Sequence, residues 1–110
     1  MKLSRENIYK CLSTVIDPEL NFDIVSIGLI YDVTISKLQL KSGEKDKVHI
    51  LMTLTTPGCP LIGVIQQMIK EALSDIEGID INKDVDIELT FDPPWITDMM
   101  TEEAKAELGF

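Results

Sequence analysis

A chain of 110 residues, 45% of them hydrophobic, is long enough to bury a core without staples and reads as one domain, residues 1–110. Its formal net charge of −9 sets up a field that repels a phosphate backbone, which disfavours nucleic-acid binding. No stretch reaches the roughly 18 apolar residues of a membrane span, and the first seven residues carry no apolar signal region, so the expectation is a cytoplasmic protein with no membrane partner.

In chain order, Leu3–Ile16 carries a helical period. Ser4 is the expected N-cap, with Leu3 and Ile8 at the spacing of a hydrophobic staple. Ile8, Leu12, Val15 and Ile16 fall on one side, flanked by Tyr9 and Cys11. The helix stops near Asp17, because Pro18 disfavours α geometry in the residue before it. Asp17–Asp23 is then a loop with three carboxylates; turn chemistry accounts for them, and in an extended chain Asp17 and Glu19 would share a face. After a short apolar connector, Ile24–Gly28, residues Leu29, Tyr31, Val33 and Ile35 alternate as a half-buried strand. The phase slips at Lys37, which predicts a bulge or a strand end there. Lys41–Asp46 reads as a polar hairpin loop. The second strand, Lys47–Leu54, puts Val48, Ile50, Met52 and Leu54 on one face and His49, Leu51, Thr53 and Thr55 on the other.

That strand runs into Thr55-Thr56-Pro57-Gly58-Cys59-Pro60. Pro60 has no N–H and a fixed φ, which suits the first helical position and sets Cys59 at or near the N-cap. Unpaired amides and the positive dipole end favour an anion there, so the Cys59 thiol is expected to be more acidic than a free one. The helix that follows, about Leu61 to Ile76, gathers Leu61, Ile62, Val64, Ile65, Met68, Ile69, Ala72, Leu73 and Ile76 on one half of the wheel, with Gly78 as its C′ residue. Gly63, near its start, is either tolerated or allows close approach to the sulfur. Val85, Ile87, Leu89 and Phe91 form a third strand, and Asp92-Pro93-Pro94-Trp95 a stiff extended segment. Met99, Met100, Ala104 and Leu108 make a short last helix ending at Gly109, with Thr97, Asp98 and Thr101 each able to cap it. The expected fold is α+β, a small mixed three-stranded sheet packed with helices in the order helix, strand, strand, helix, strand, short helix. A strand–helix–strand crossover makes its second and third strands parallel.

Cysteine catalysis needs a base within hydrogen-bond reach of the sulfur. His49 stands about 16 Å or more back along its strand at roughly 3.3 Å per residue, so no Cys–His dyad forms and no enzyme is expected. One cysteine cannot close a thiolate metal site alone; it can share one with a second chain, a partner's cysteine, a small thiol or nearby oxygen ligands. Cys11, at the edge of an apolar stripe, reads as a small packed hydrophobe, and a Cys11–Cys59 disulfide is not expected in a reducing compartment.

Four runs, Asp17-Pro18-Glu19-Leu20, Ile24 to Val33, Met52 to Pro60 and Asp92 to Met100, together resemble the SufT-like family of metal–sulfur cluster biosynthesis proteins, over nearly the whole chain and in the right order. The resemblance implies an iron–sulfur assembly domain fold and a role in maturing iron–sulfur proteins. Its recurrent polar features fall on Asp17, Glu19, Thr56 and Cys59, with Cys59 as the metal-binding thiolate, shared with a second chain or a client. It implies a transient iron–sulfur cluster and no permanently bound cofactor. The partners would be iron–sulfur client apoproteins and other assembly proteins, with a homodimer as one way to complete the ligand set. Two departures stand out. Asn21 replaces the glycine often found after Asp-Pro-Glu-Leu, and asparagine tolerates left-handed geometry. The cysteine-rich zinc segment of the branch linked to phenylacetyl-CoA ring oxygenation is not present before Phe110. Two other readings stay open: a metal-free adaptor recruiting clients through Trp95–Met100 and its acidic surface, and sulfur transfer through a Cys59 persulfide.

Overall fold

The structure is a computed structural model that describes residues 2–41, 43–55 and 62–109. Helix α1 (Arg5–Leu12) starts where the extended Ser4 accepts a hydrogen bond from the Asn7 N–H, and it buries Ile8, Cys11 and Leu12. It ends four residues before the expected Ile16. The Ser13 and Thr14 hydroxyls donate to the carbonyls of Tyr9 and Cys11, taking up acceptors a longer helix would have used. Ile16 leaves the apolar side of the helix altogether and is 39% exposed. It opens β1 (Ile16–Asp17), which pairs antiparallel with β2 (Phe22–Asp23), where the sequence suggested only loop.

Strands β3 (Ile30–Leu40) and β4 (Gly43–Met52) form a long antiparallel hairpin whose pairing runs from Ile30 opposite Met52 to Leu40 opposite Gly43, so the connection is tighter than the six-residue loop expected. The register shift lies between Ile30 and Asp32, not at Lys37. β5 (Val85–Leu89) pairs with β4 only from Val48 to Met52, so among the described residues the ribbon beyond is two-stranded. β4 and β5 are parallel, as the crossover rule requires, and the sheet order is β3-β4-β5. The α+β architecture and its element order are those expected, with the β1–β2 pair added.

Helix α2 (Ile62–Leu73) supplies the crossover and buries Ile65, Ile69 and Leu73. Val64, assigned to the apolar side, is 50% exposed instead, because the covered arc is narrower than the apolar one. Gly78 has φ of +85° but lies five residues past the helix, in a later turn, so it is not the C′ residue. Around Gly63 a Cβ would meet open space among the described residues, and the Cys59 sulfur, to which a close approach was the other reading, lies outside them. After β5 the chain bends at Asp92–Pro93, a cis bond, rather than running straight, makes a 3₁₀ turn at Thr97–Met99 and enters α3 (Glu102–Leu108). Of the three candidate caps it is Thr101 that accepts from the Ala104 N–H, and Gly109 closes the helix in the left-handed region.

Val48, Ile50, Met52 and Leu54 are all buried and share one core with Ile8, Leu12, Ile65, Ile69 and Leu73 of α1 and α2. Successive side chains alternate across a strand. The opposite face therefore presents Asp32–Leu51–Glu88 as one cross-strand row and Thr34–His49–Asp86 as the next.

Candidate functional site

Pro18 and the short β1–β2 pair force a tight reversal, and Asp17 builds it. Its side chain is 2% exposed, and one carboxylate oxygen accepts from the N–H groups of Glu19 at 2.7 Å and Leu20 at 3.2 Å. The Asp17 carbonyl accepts from the Asn21 N–H at 2.7 Å, and Asn21 sits at φ +56°. Asparagine thus holds the left-handed turn that a glycine would otherwise hold. Asp23 does similar work one turn on, accepting from the Ser26 N–H at 2.9 Å. Because the chain turns rather than extends, Asp17 and Glu19 do not share a face: Asp17 is inside the turn and Glu19 is exposed.

Three backbone hydrogen bonds carry this turn to the end of β4. Ile24 N–H donates to the Val15 carbonyl, Leu29 N–H to that of Ile24, and Thr53 N–H to that of Leu29, at 3.0, 3.0 and 2.8 Å. The acidic turn and the exit from β4 are therefore braced against one another. Thr53, Leu54 and Thr55 lead out of the strand; the expected seats of Thr56 and of Cys59 at the start of α2 lie outside the described residues. Chain order sets them in the six-residue connection between Thr55 and Ile62, directly beyond this brace.

The Thr53 hydroxyl is fully buried and has no hydrogen-bond partner among the described residues. An unpaired buried hydroxyl costs about 1–3 kcal/mol, so Thr53→Val, which keeps the β-branch, is expected to stabilise the protein by about 1 kcal/mol. Urea unfolding checks this; a lower midpoint would show that the hydroxyl has a partner worth keeping.

Other titratable groups are committed elsewhere. His49 lies on the sheet face away from the core, with Nδ1 2.9 Å from Asp86 and Nε2 3.5 Å from Glu88. Cys11 is 5% exposed, and burial, then the Asp75 charge, pushes its thiol above the ordinary value of 9.0. That is the behaviour of a packed hydrophobe, not of a ligand-ready thiolate. Among the described residues there is no group of three or more His, Cys, Asp or Glu side chains that could hold a metal ion, and no helix long and apolar enough to cross a membrane.

The C-terminal segment clamps the turn after β2: Trp95 Nε1–H donates to the Ile27 carbonyl at 2.7 Å and Thr101 N–H to that of Ser26 at 2.8 Å. Trp95 is half-buried and Met100 is 4% exposed, so in the stretch proposed as an adaptor surface these two face inward, and Ile96 is the large exposed apolar residue. The Asp-Pro-Pro-Trp run was the available signal, but its partner lies 68 residues away.

With this geometry in view, comparisons with known proteins converge. The iron–sulfur cluster assembly protein family model matches residues 5–83. The chain is 42% identical to the Fe-S protein maturation auxiliary factor YitW of Bacillus subtilis, covering 96% of this chain and 93% of that one. It is 38% identical to the Fe-S protein maturation auxiliary factor SufT of Staphylococcus aureus, over 86% and 97% of the two. A solved conserved hypothetical protein from Thermotoga maritima superposes with a TM-score of 0.76 at 42% identity, over 99% and 97% of the two chains.

Proposed function

The chain belongs to the iron–sulfur cluster assembly protein family, and from that premise we propose that it is a maturation factor that helps to build or deliver clusters to client proteins through Cys59. It works as a single assembly domain in the cytoplasm, without catalysing a reaction of its own. One observation carries the reading: a lone cysteine, held between Pro57-Gly58 and Pro60, in the connection from β4 to α2. A thiolate before a helix is the soft ligand that iron–sulfur chemistry uses. The cluster is cargo here, and its other ligands come from a client or from a second copy of the chain. Asp17 shapes the neighbouring turn from within, and Glu19 and Thr56 supply oxygen atoms at the rim of the site.

The test is maturation of a client enzyme in cells carrying Cys59→Ser in place of the natural chain. Client activity is expected to fall about tenfold at unchanged client abundance. Anaerobic reconstitution with iron and sulfide should give a visible chromophore with the natural chain and none with Cys59→Ser. Unchanged client activity in the variant would sink the proposal.

A further inference from the structure

On the sheet face turned away from α1 and α2, an open depression of about 500 Å³ is lined by Ile30, Tyr31, Leu51, Pro93 and Met99, with Asp92 in its wall. The wall is held in place. Tyr31 Oη–H donates to the Pro93 carbonyl at 2.7 Å and lies 3.5 Å from Met99 Sδ, while Gly28 packs against the Met99 backbone. Around this apolar surface the charges are mostly of one sign. Register sets Asp32 and Glu88 on either side of Leu51, with side chains 57% and 59% exposed, and Asp86 stands one row on, 73% exposed. Of those carboxylates Asp32 lies 3.4 Å from the Arg5 guanidinium, and the His49 ring stands between Asp86 and Glu88.

We propose that this depression is a docking site for a partner protein segment that inserts one large apolar side chain and flanks it with lysine or arginine. An apolar pocket gives the anchor its affinity, and a ring of exposed carboxylates selects basic flanks and speeds encounter. Methionine and tyrosine walls suit an anchor of variable shape, and a wall already hydrogen-bonded in place has little ordering left to lose on binding. The site supplies partner recognition for the delivery role proposed above and rests on that reading only for its use; the binding itself does not involve Cys59.

Three short labelled peptides test it at about 150 mM salt, where exposed charges are screened beyond about 8 Å. One has a leucine flanked by lysines, one replaces the leucine with serine, and one replaces the lysines with glutamates. Fluorescence anisotropy is expected to show the first binding about tenfold more tightly than either of the others, with amide shift changes centred on Tyr31, Leu51 and Met99. Glu88→Lys with Asp92→Lys, both at exposed positions, should weaken it by a similar factor. Cys59→Ser should leave it unchanged, which separates failure here from failure of the cysteine reading. Equal binding of the serine peptide, shifts centred elsewhere, indifference to charge reversal, or no binding of the leucine peptide would each overturn the proposal.

Discussion

Replacing Gly28 with alanine should cost about 3 kcal/mol of stability, the sum of two effects at one atom. Gly28 sits at φ +82°, where an L side chain carries a penalty of roughly 1–2 kcal/mol. Its Cβ would also clash with the Met99 carbonyl oxygen and stand 2.9 Å from the Met99 carbonyl carbon. Those are backbone atoms, and they cannot swing aside. Met99 N–H is tied to the Ile96 carbonyl, Met100 N–H to that of Thr97, and Thr101 N–H to that of Ser26. Overpacking against an immobile neighbour adds about 1–3 kcal/mol. Gly78→Ala is the matched control: φ is +85°, but no atom of the described residues lies within 4 Å of the added carbon, so only the conformational part, about 1 kcal/mol, is expected. Denaturant unfolding of both variants reads the difference directly. Equal losses would mean that the C-terminal segment yields, and that the clamp on the turn is weak.

The second large effect is expected at Asp17. In Asp17→Ala the amides of Glu19 and Leu20 lose their common acceptor inside a turn that buries it, a loss of about 2–3 kcal/mol. Asp17→Asn keeps an oxygen in the same place and should recover most of that, ending within about 1 kcal/mol of the natural chain. Paired with client maturation, the two variants divide architecture from chemistry. If Asn restores both folding and maturation, the carboxylate is a turn builder only. If it restores folding while maturation stays low, the negative charge itself serves the site beside Cys59.

How much could be read beforehand follows from which forces act locally. Val48, Ile50, Met52 and Leu54 announced their face because one side of the chain is buried from Val48 to Leu54, and all four are at most 3% exposed. The parallel pairing of β4 with β5 followed from connection geometry alone, and the left-handed Asn21 from the residue it replaces. Two-residue strands such as β1 and β2 leave no period to detect, so they were missed. Val64 was misassigned because an apolar residue on a wheel says nothing about whether a neighbour covers it. Of Asp17, Glu19, Thr56 and Cys59, the structure describes the first two, and it places Asp17 in a buried setting and Glu19 in an exposed one. The partner of Asp17 turned out to be the turn itself, since a carboxylate two residues before an amide bonds locally before it does anything else.

The length of the β3–β4 hairpin has a consequence for how this chain can change. β5 begins alongside Val48, so from Lys47 to Gly43 β4 has, among the described residues, only β3 beside it, in a molecule 52 Å long and 21 Å thick. Residues gained or lost in facing pairs at the tip lengthen or shorten this ribbon while preserving the register of everything β5 covers. An odd insertion within the covered span would exchange the buried row of Val48, Ile50 and Met52 for the outward row of His49 and Leu51. The hairpin is thus the place where relatives can diverge in length, and where a tag or fluorophore can be spliced in, while the acidic turn and the exit toward Cys59 keep their bracing.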